Sequence, residues 1–440
     1  MNIRLEKKSL RYGVELPQNK LMAQSPIELA PLPEMVTIPL EENVGAASET
    51  LVKKGDKVLT GQKITDSDEF DSVPMHATVS GEVTSITTAI NPSTGQVMKV
   101  IAITSDGGDK WVKLQPHPNP EALSSEEILK AVREAGVVDA DGITSPAHVK
   151  LSPPKDKKID TVILNGYEWE PYVTSDHRVM LEYGEKVLSG LNIMKKVLSP
   201  VNVYVAIGDN KEDAMDSLEE LIVKAGYDFK ITPIKAGYPL SDEKTLIKTV
   251  VNRKVLIGGL AADVGVVVHN VSTAKAIHEA IYEGKPYIER VVTVTGTVGN
   301  PKNLLVRFGT PVKNLIEYCG GITEEGSEII IGGPMTGISQ FDPDSPIFSN
   351  TNCVLVKVSQ PIMDMDCISC GRCIEVCPMN LMPTLYPKYV KVGRYNECAT
   401  AYIDICTECG VCAYTCPANI PIVQYVRVAK RELSKRMEKE

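Results

Sequence analysis

No stretch of the 440-residue sequence approaches the run of about eighteen apolar residues that a membrane-spanning helix needs. The opening MNIRLEKKSLRYGVEL lacks the apolar core of a signal peptide. A basic surplus is missing too: the formal charge is −9, and without clustered Lys and Arg a phosphate backbone has little to bind, so nucleic acid is excluded as the expected partner. Nor is there a disulfide framework. Of 11 cysteines, all but Cys319, Cys353 and Cys398 fall into two tight groups, so the thiols read as ligands in a reducing, cytoplasmic compartment. What is present is a chain with 43% hydrophobic residues, long enough for several domains with substantial cores.

The two groups are CISCGRCIEVCP, with Cys367, Cys370, Cys373 and Cys377, and CTECGVCAYTCP, with Cys406, Cys409, Cys412 and Cys416. Two-residue gaps let three thiolates converge from one short loop onto three irons of a cubane. The fourth cysteine begins the next turn, points away and ligates the neighbouring cluster. The expected sets are therefore Cys367, Cys370, Cys373 and Cys416 for cluster 1, and Cys406, Cys409, Cys412 and Cys377 for cluster 2. Zinc is the competing reading, but zinc modules join two CxxC pairs across a longer gap and need only four thiolates. Gly371 and Gly410 suit close backbone approach to sulfur. The insert carrying Tyr386, Tyr389 and Tyr395 reads as a helical hairpin over the clusters, with Cys398 as core.

Upstream, residues 36–104 alternate in short segments with turn punctuation, Gly55-Asp56 and Ser80-Gly81 being the expected hairpin turns. The pattern is similar to a lipoyl or biotinyl barrel-sandwich domain. Its tip reads TDSDEFDS, without the lysine that a swinging arm would modify. From Ser124 the pattern becomes βα alternation. Ser124 and Glu127 form a capping box, helices are expected at Lys186–Leu198 and Glu212–Ala225, and the apolar runs DTVILNG, VNVYVAIGD and VGVVVHN suggest a parallel, buried sheet. Such a domain binds nucleotide-like ligands at strand C-termini. Residues 289–340 read as a small α+β module, and the last residues as a solvated helix of mixed charge.

The order of parts resembles the RnfC family over nearly the whole chain. The matching segments are LVKKGDKV at 51–58, HATVSGEV at 76–83, HVKLSPPKDKKIDTVILNG at 148–166, EPYVTSDHRVM at 170–180, VGVVVHNVSTA at 264–274, GGPMTG at 332–337 and both cysteine runs. The resemblance implies a multidomain α/β chain. Its parts would be an unmodified barrel-sandwich domain at 1–122, a Rossmann-like domain similar to the complex I flavin subunit at 123–286, an SLBB-like β-grasp module at 287–345, and a two-[4Fe–4S] ferredoxin-like domain at 346–440. It also implies an FMN site at Gly142, Lys150, Asn165, Glu168, Glu243, Asn270 and Thr273, with electrons passing from NADH through FMN to the clusters.

Three segments depart from the family. Where RnfC proteins have a loop such as GLGGAGFPTHVK, this chain reads DADGITSPAHVK at 139–150, with Asp139 and Asp141 at glycine positions. A GGE becomes Ser241-Asp242-Glu243, and AECEPY becomes YEWEPY, with Tyr167 and Trp169 as bulky newcomers that fill a vacated pocket. Glycines there present amides to phosphate, whereas a carboxylate about 4 Å from it costs about 4 kcal/mol at a typical protein dielectric. The departures weigh against FMN and more heavily against NADH. The leading expectation is thus an electron-transfer subunit relaying single electrons between protein partners in a larger redox complex. The alternative is an FMN-containing NADH dehydrogenase subunit, in a soluble reductase or docked at the cytoplasmic face of a membrane Rnf complex.

Overall fold

A computed structural model describes residues 3–9, 13–40, 48–91, 95–140, 144–235, 237–240, 242–359 and 365–437. Near-continuous apolar runs of Val, Ile and Leu pair in parallel because both faces of their sheet are covered. The spatial order is Lys230–Ile234, Asn202–Gly208, Thr161–Gly166, Val266–Asn270. Helices Ser125–Glu134, Gly184–Leu198, Glu212–Ala225 and Val271–His278 bury their apolar faces against one side of it. The capping box forms as expected. Ser124 N donates to Glu127 Oε2 at 2.8 Å, and Glu127 N donates to Ser124 Oγ at 3.3 Å. The extreme N-terminal segment runs beside the sheet edge, bridging Arg4 to Ile231 and Lys8 to Ile234.

The barrel-sandwich layer is a four-stranded sheet, Met35–Pro39, Val97–Ser105, Gly81–Ile90, Lys57–Val58, facing a two-stranded ladder, Glu49–Thr50 with Thr65–Asp66. Ser80-Gly81 is not the hairpin turn expected. Gly81 begins a strand, and a Cβ there would lie 1.9 Å from the Thr104 carbonyl oxygen, so the glycine serves close cross-strand approach. The tip at 65–72 is tied down. Lys63 Nζ bridges Asp66 at 2.7 Å and Glu134 at 2.5 Å, Arg133 donates to the Ser67 carbonyl, and Phe70 packs edge-on against His148 with centroids 5.2 Å apart.

A mixed six-stranded sheet runs Ile27–Leu29, Lys302–Arg307, Glu289–Gly296, Cys353–Val358, Ser327–Ile331, Ile338–Gln340. Its first and fourth strands come from outside residues 287–345, so the sheet ties the chain's N-terminal segment to the entry of the cysteine-rich part. That part holds short helices Arg372–Glu375, Leu385–Val390, Tyr395–Thr400 and Val411–Tyr414, then Ile422–Met437. Tyr386 and Cys398 are fully buried at its centre. The terminal helix is not the solvated helix expected. Ile422, Val423, Val426 and Ala429 make a buried stripe, which the abundant charges on the other faces conceal in the sequence.

Candidate functional site

The eight motif cysteines line two cavities. Cys367, Cys370, Cys373 and Cys416 share one with Thr384, Lys388 and Lys391. Cys377, Cys406, Cys409 and Cys412 share the other with Tyr386, Val411 and Val426. The loops repeat each other in backbone as well as spacing: Ser369 and Glu408, Gly371 and Gly410, and Asn380 and Asn419 all take positive φ at equivalent positions. For Gly371 that φ of +79° is the reason for glycine, since a Cβ would meet nothing within 4 Å. At Gly410 a Cβ would lie 2.6 Å from the Met335 carbonyl oxygen, so the close approach is to a neighbouring loop. Among the described residues no three His, Cys, Asp or Glu side chains gather tightly enough to hold a single metal ion. Four soft thiols lining each cavity are the donor set a [4Fe–4S] cubane takes.

The cavities differ in setting. Cys367 and Cys370 are exposed, whereas Cys377 and Cys409 are buried. The Cys367 thiol is held below its usual pKa, first by the Thr384 hydroxyl 3.4 Å away and also by Lys388. Burial pushes the Cys409 thiol up to about 12. On the Cys409 side, the inner cavity packs against other domains. The Tyr238 hydroxyl donates to the Cys409 carbonyl, Trp169 lies 5.1 Å from the Tyr238 ring, and Leu16 and Met335 complete the packing. Lys430 Nζ donates to the Cys406 carbonyl at 2.6 Å and pairs with Glu408 at 2.9 Å, while Arg427 joins Glu408 to the Thr336 carbonyl. Of these the sequence marks only Trp169 and, within GGPMTG, Met335 and Thr336, because the contacts of the rest are tertiary.

Around the sheet's C-terminal strand ends, the residues expected for FMN are engaged with one another. Thr273 Oγ1 donates to Asp139 Oδ1 at 2.9 Å and accepts from Ala140 N at 3.0 Å. Lys150 Nζ lies between Asp139 at 2.5 Å and Glu243 at 3.0 Å. Burial opposes ionisation of Asp139, but Lys150 and His269 outweigh it and hold the carboxyl below its usual range. Asn270 caps its helix, accepting from Ser272 N at 2.7 Å and donating to Asp176 at 2.8 Å. Asn165 Oδ1 accepts from Tyr167 N at 3.1 Å. Glu168 Oε1 accepts from Asp176 N at 2.7 Å, and Lys20 and Lys211 both lie 3.8 Å from its other oxygen. Burial raises Glu168 above the usual carboxylate range and lowers Lys20 to about 8.

Gly142, Asp141 and Ser241 lie outside the described residues. Tyr167 fills core space, its hydroxyl donating to the Gly237 carbonyl at 2.6 Å and accepting from Gly237 N at 2.8 Å. As these side chains stand, they do not fit a phosphate beside the loop. Lys150, the cation expected to neutralise a phosphate, already lies between Asp139 and Glu243.

Comparison with known proteins supplies the rest. Residues 8–108 match the RnfC barrel sandwich hybrid domain, 132–279 the Nuo51 FMN-binding domain, 291–339 the SLBB domain, and 366–420 a 4Fe-4S dicluster domain. A component of the proton-translocating ferredoxin:NAD(+) oxidoreductase complex of Clostridium ljungdahlii is 42% identical over 90% of this chain and 87% of its own length. A component of the Na(+)-translocating ferredoxin:NAD(+) oxidoreductase complex of Acetobacterium woodii is 38% identical over 97% of both. A component of the ion-translocating oxidoreductase complex of Rhodobacter capsulatus is 38% identical over 99% of this chain and 85% of its own. Among solved structures, the NAD+-reducing [NiFe]-hydrogenase in its H2-reduced state shares the fold, with a TM-score of 0.52 at 16% identity over 74% of this chain and 68% of that one.

Proposed function

Since this chain belongs to the RnfC family, we propose that it is the iron–sulfur subunit of a redox complex, passing single electrons through two [4Fe–4S] clusters between protein partners. Cys406, Cys409, Cys412 and Cys377 hold the inner cluster, and Cys367, Cys370, Cys373 and Cys416 the outer one. Each cluster, when bound, takes up and returns one electron. The remaining work belongs to the chain. Tyr238, Trp169 and Met335 keep water from the inner thiols, and Lys430 sets a positive charge beside them, both of which tune a cluster's potential. The outer cluster is the point of exchange with a partner, because Cys367 and Cys370 reach the surface. The observation that carries this reading is the grouping of the eight thiols around two cavities, one with Cys377 and Cys409 buried and one with Cys367 and Cys370 exposed. Partners are the other subunits of the complex and carriers of the ferredoxin or flavoprotein kind.

A second reading, an FMN-containing NADH dehydrogenase subunit, is favoured by the match to the Nuo51 FMN-binding domain and by Asn165, Glu168, Asn270 and Thr273 standing together near the strand ends. The Asp139–Lys150–Glu243 chain opposes it. Iron analysis and an acid extract decide between them. The relay reading expects about eight irons per chain and no released flavin. Released FMN with bleaching of the isolated chain by NADH would establish the second reading, and about four irons would overturn the two-cluster assignment.

A further inference from the structure

Leu256, Ile257 and Leu260 project from one loop of the α/β domain with 72%, 64% and 64% of their surface exposed. One exposed aliphatic residue needs no explanation, but three within five positions do. The loop is not frayed. Val255 and Ala261 anchor it in the core beneath the sheet, Leu260 N donates to Asp263 Oδ2 at 2.8 Å, and Gly258 takes a φ of +74° to turn the tip. It is a built projection at the N-terminal edge of the parallel strands, the edge opposite the one that carries Asn165 and Asn270.

Its surroundings are basic in a chain that is acidic overall. The neighbouring turn reads Lys155-Asp156-Lys157-Lys158, and Arg253 and Lys254 lead into the tip. The two turns touch, a Cβ on Gly265 lying 3.1 Å from the Lys158 carbonyl oxygen. Asp160 is taken up by Arg253 at 2.7 Å and Asp263 by Lys157 at 3.3 Å. Lys158 shares Asp160 with Arg253, and among the described residues Lys155 and Lys254 form no ion pair with a carboxylate. The chain's net charge of −9 does not cancel this local excess, because charges farther than about 8 Å are screened at physiological ionic strength.

We propose that this loop docks the protein on an anionic lipid surface, the three aliphatic side chains entering the interface while the lysines meet the headgroups. Attachment is peripheral, since no helix among the described residues is long and apolar enough to cross a membrane. Three exposed aliphatic side chains beside several lysines match the apolar-plus-basic pattern of an interfacial anchor. The surface is remote from the thiols, so its failure would leave the relay reading untouched.

The test is co-sedimentation of the full, iron-loaded chain with vesicles of phosphatidylglycerol and phosphatidylcholine, compared with phosphatidylcholine alone. Binding is expected only to the anionic vesicles, weakening as salt rises. L256E/I257E/L260E should abolish it at unchanged iron content and visible spectrum. K155A/K158A/K254A should weaken it roughly fivefold for each lysine removed. No binding to anionic vesicles at low salt overturns the proposal and leaves a protein as the occupant. So does binding that ignores salt, or a triple glutamate variant that sediments like the parent.

Discussion

The cysteine-rich end and the strand-end site of the α/β domain stand at opposite extremes of readiness for a ligand. Around the two cavities, the thiols point inward with few intramolecular partners, and positive φ at Gly371 and Gly410 holds the loops open around them. At the strand ends, most polar side chains answer one another, Asp139 with Lys150 and Thr273 and Asn270 with Asp176 and Ser272, while Glu168 Oε2 is buried without a hydrogen-bond partner. The lesson is that a site keeps a cofactor by leaving its donors unsatisfied in the fold. At the strand ends Lys150 is instead held between Asp139 and Glu243.

The largest effect expected comes from the cysteines. Cys377→Ser should remove the cluster of the second motif, lowering iron from about eight to about four per chain and erasing one of two paramagnetic signals on reduction. Cys367→Ser should erase the other signal. If Cys377→Ser instead removes the signal that Cys367→Ser removes, the crossed assignment is wrong.

The comparison can be broken from the other side by opening the filled site. Asp139→Asn leaves Lys150 with Glu243 alone and should cost about 1.5 kcal/mol of α/β-domain stability in urea, the low end for losing a hydrogen bond to a charged group. Asp139→Gly with Asp141→Gly supplies the family's glycines and leaves Lys150 paired with Glu243 alone. That variant should take up FMN, read as flavin fluorescence released by acid, where the parent releases none. A parent chain that releases FMN would sink the contrast between the two regions.

Acid sharpens it further. Asp139 ionises in the fold below the 3.8 of an unfolded chain, so its contribution is complete above that value and is lost as pH falls beneath it. His76 behaves differently. Burial first, and Lys63 second, lower it from 6.5 to about 4, so the folded state resists protonation and stability falls as pH drops from 6.5 towards 4. The urea midpoint of Asp139→Asn should therefore track the parent between pH 6.5 and 4 and lose its steeper fall below about pH 4. A parallel curve at all pH values would remove Asp139 as the ionised anchor.

The contrast between the regions also governs what could be read from sequence. Cysteine spacing is local, so the eight ligand candidates, the helical insert and the buried Cys398 were legible without a structure. Capping at Ser124 and the parallel sheet were legible for the same reason. The engagement of Lys150 was only half legible, since a carboxylate at 139 announces repulsion of phosphate but not capture of the lysine eleven residues on. Ser80-Gly81 imitated a turn because glycine serves turns and close strand contacts alike. The terminal helix hid its apolar stripe among charges, and Ile27–Leu29 gives no hint that it completes a sheet with residues near 303.

The smallest effect tests how the two regions communicate. Tyr238 belongs to the α/β domain, yet its hydroxyl donates to the carbonyl of Cys409, a ligand candidate of the inner cluster. Tyr238→Phe keeps the ring against Trp169 and removes only that hydrogen bond, so about 1 kcal/mol of docking is expected to go. Because the bond reaches a ligand's backbone and not a sulfur, the inner cluster's midpoint potential should shift slightly while the outer cluster's stays put. The outer cluster serves as the control, since Tyr238 packs with Cys409 and Val411 and not with Cys367 or Cys370. Equal shifts in both clusters would mean that the substitution loosens the whole cysteine-rich domain. No shift in either would mean that the α/β domain holds the inner cluster dry without tuning it.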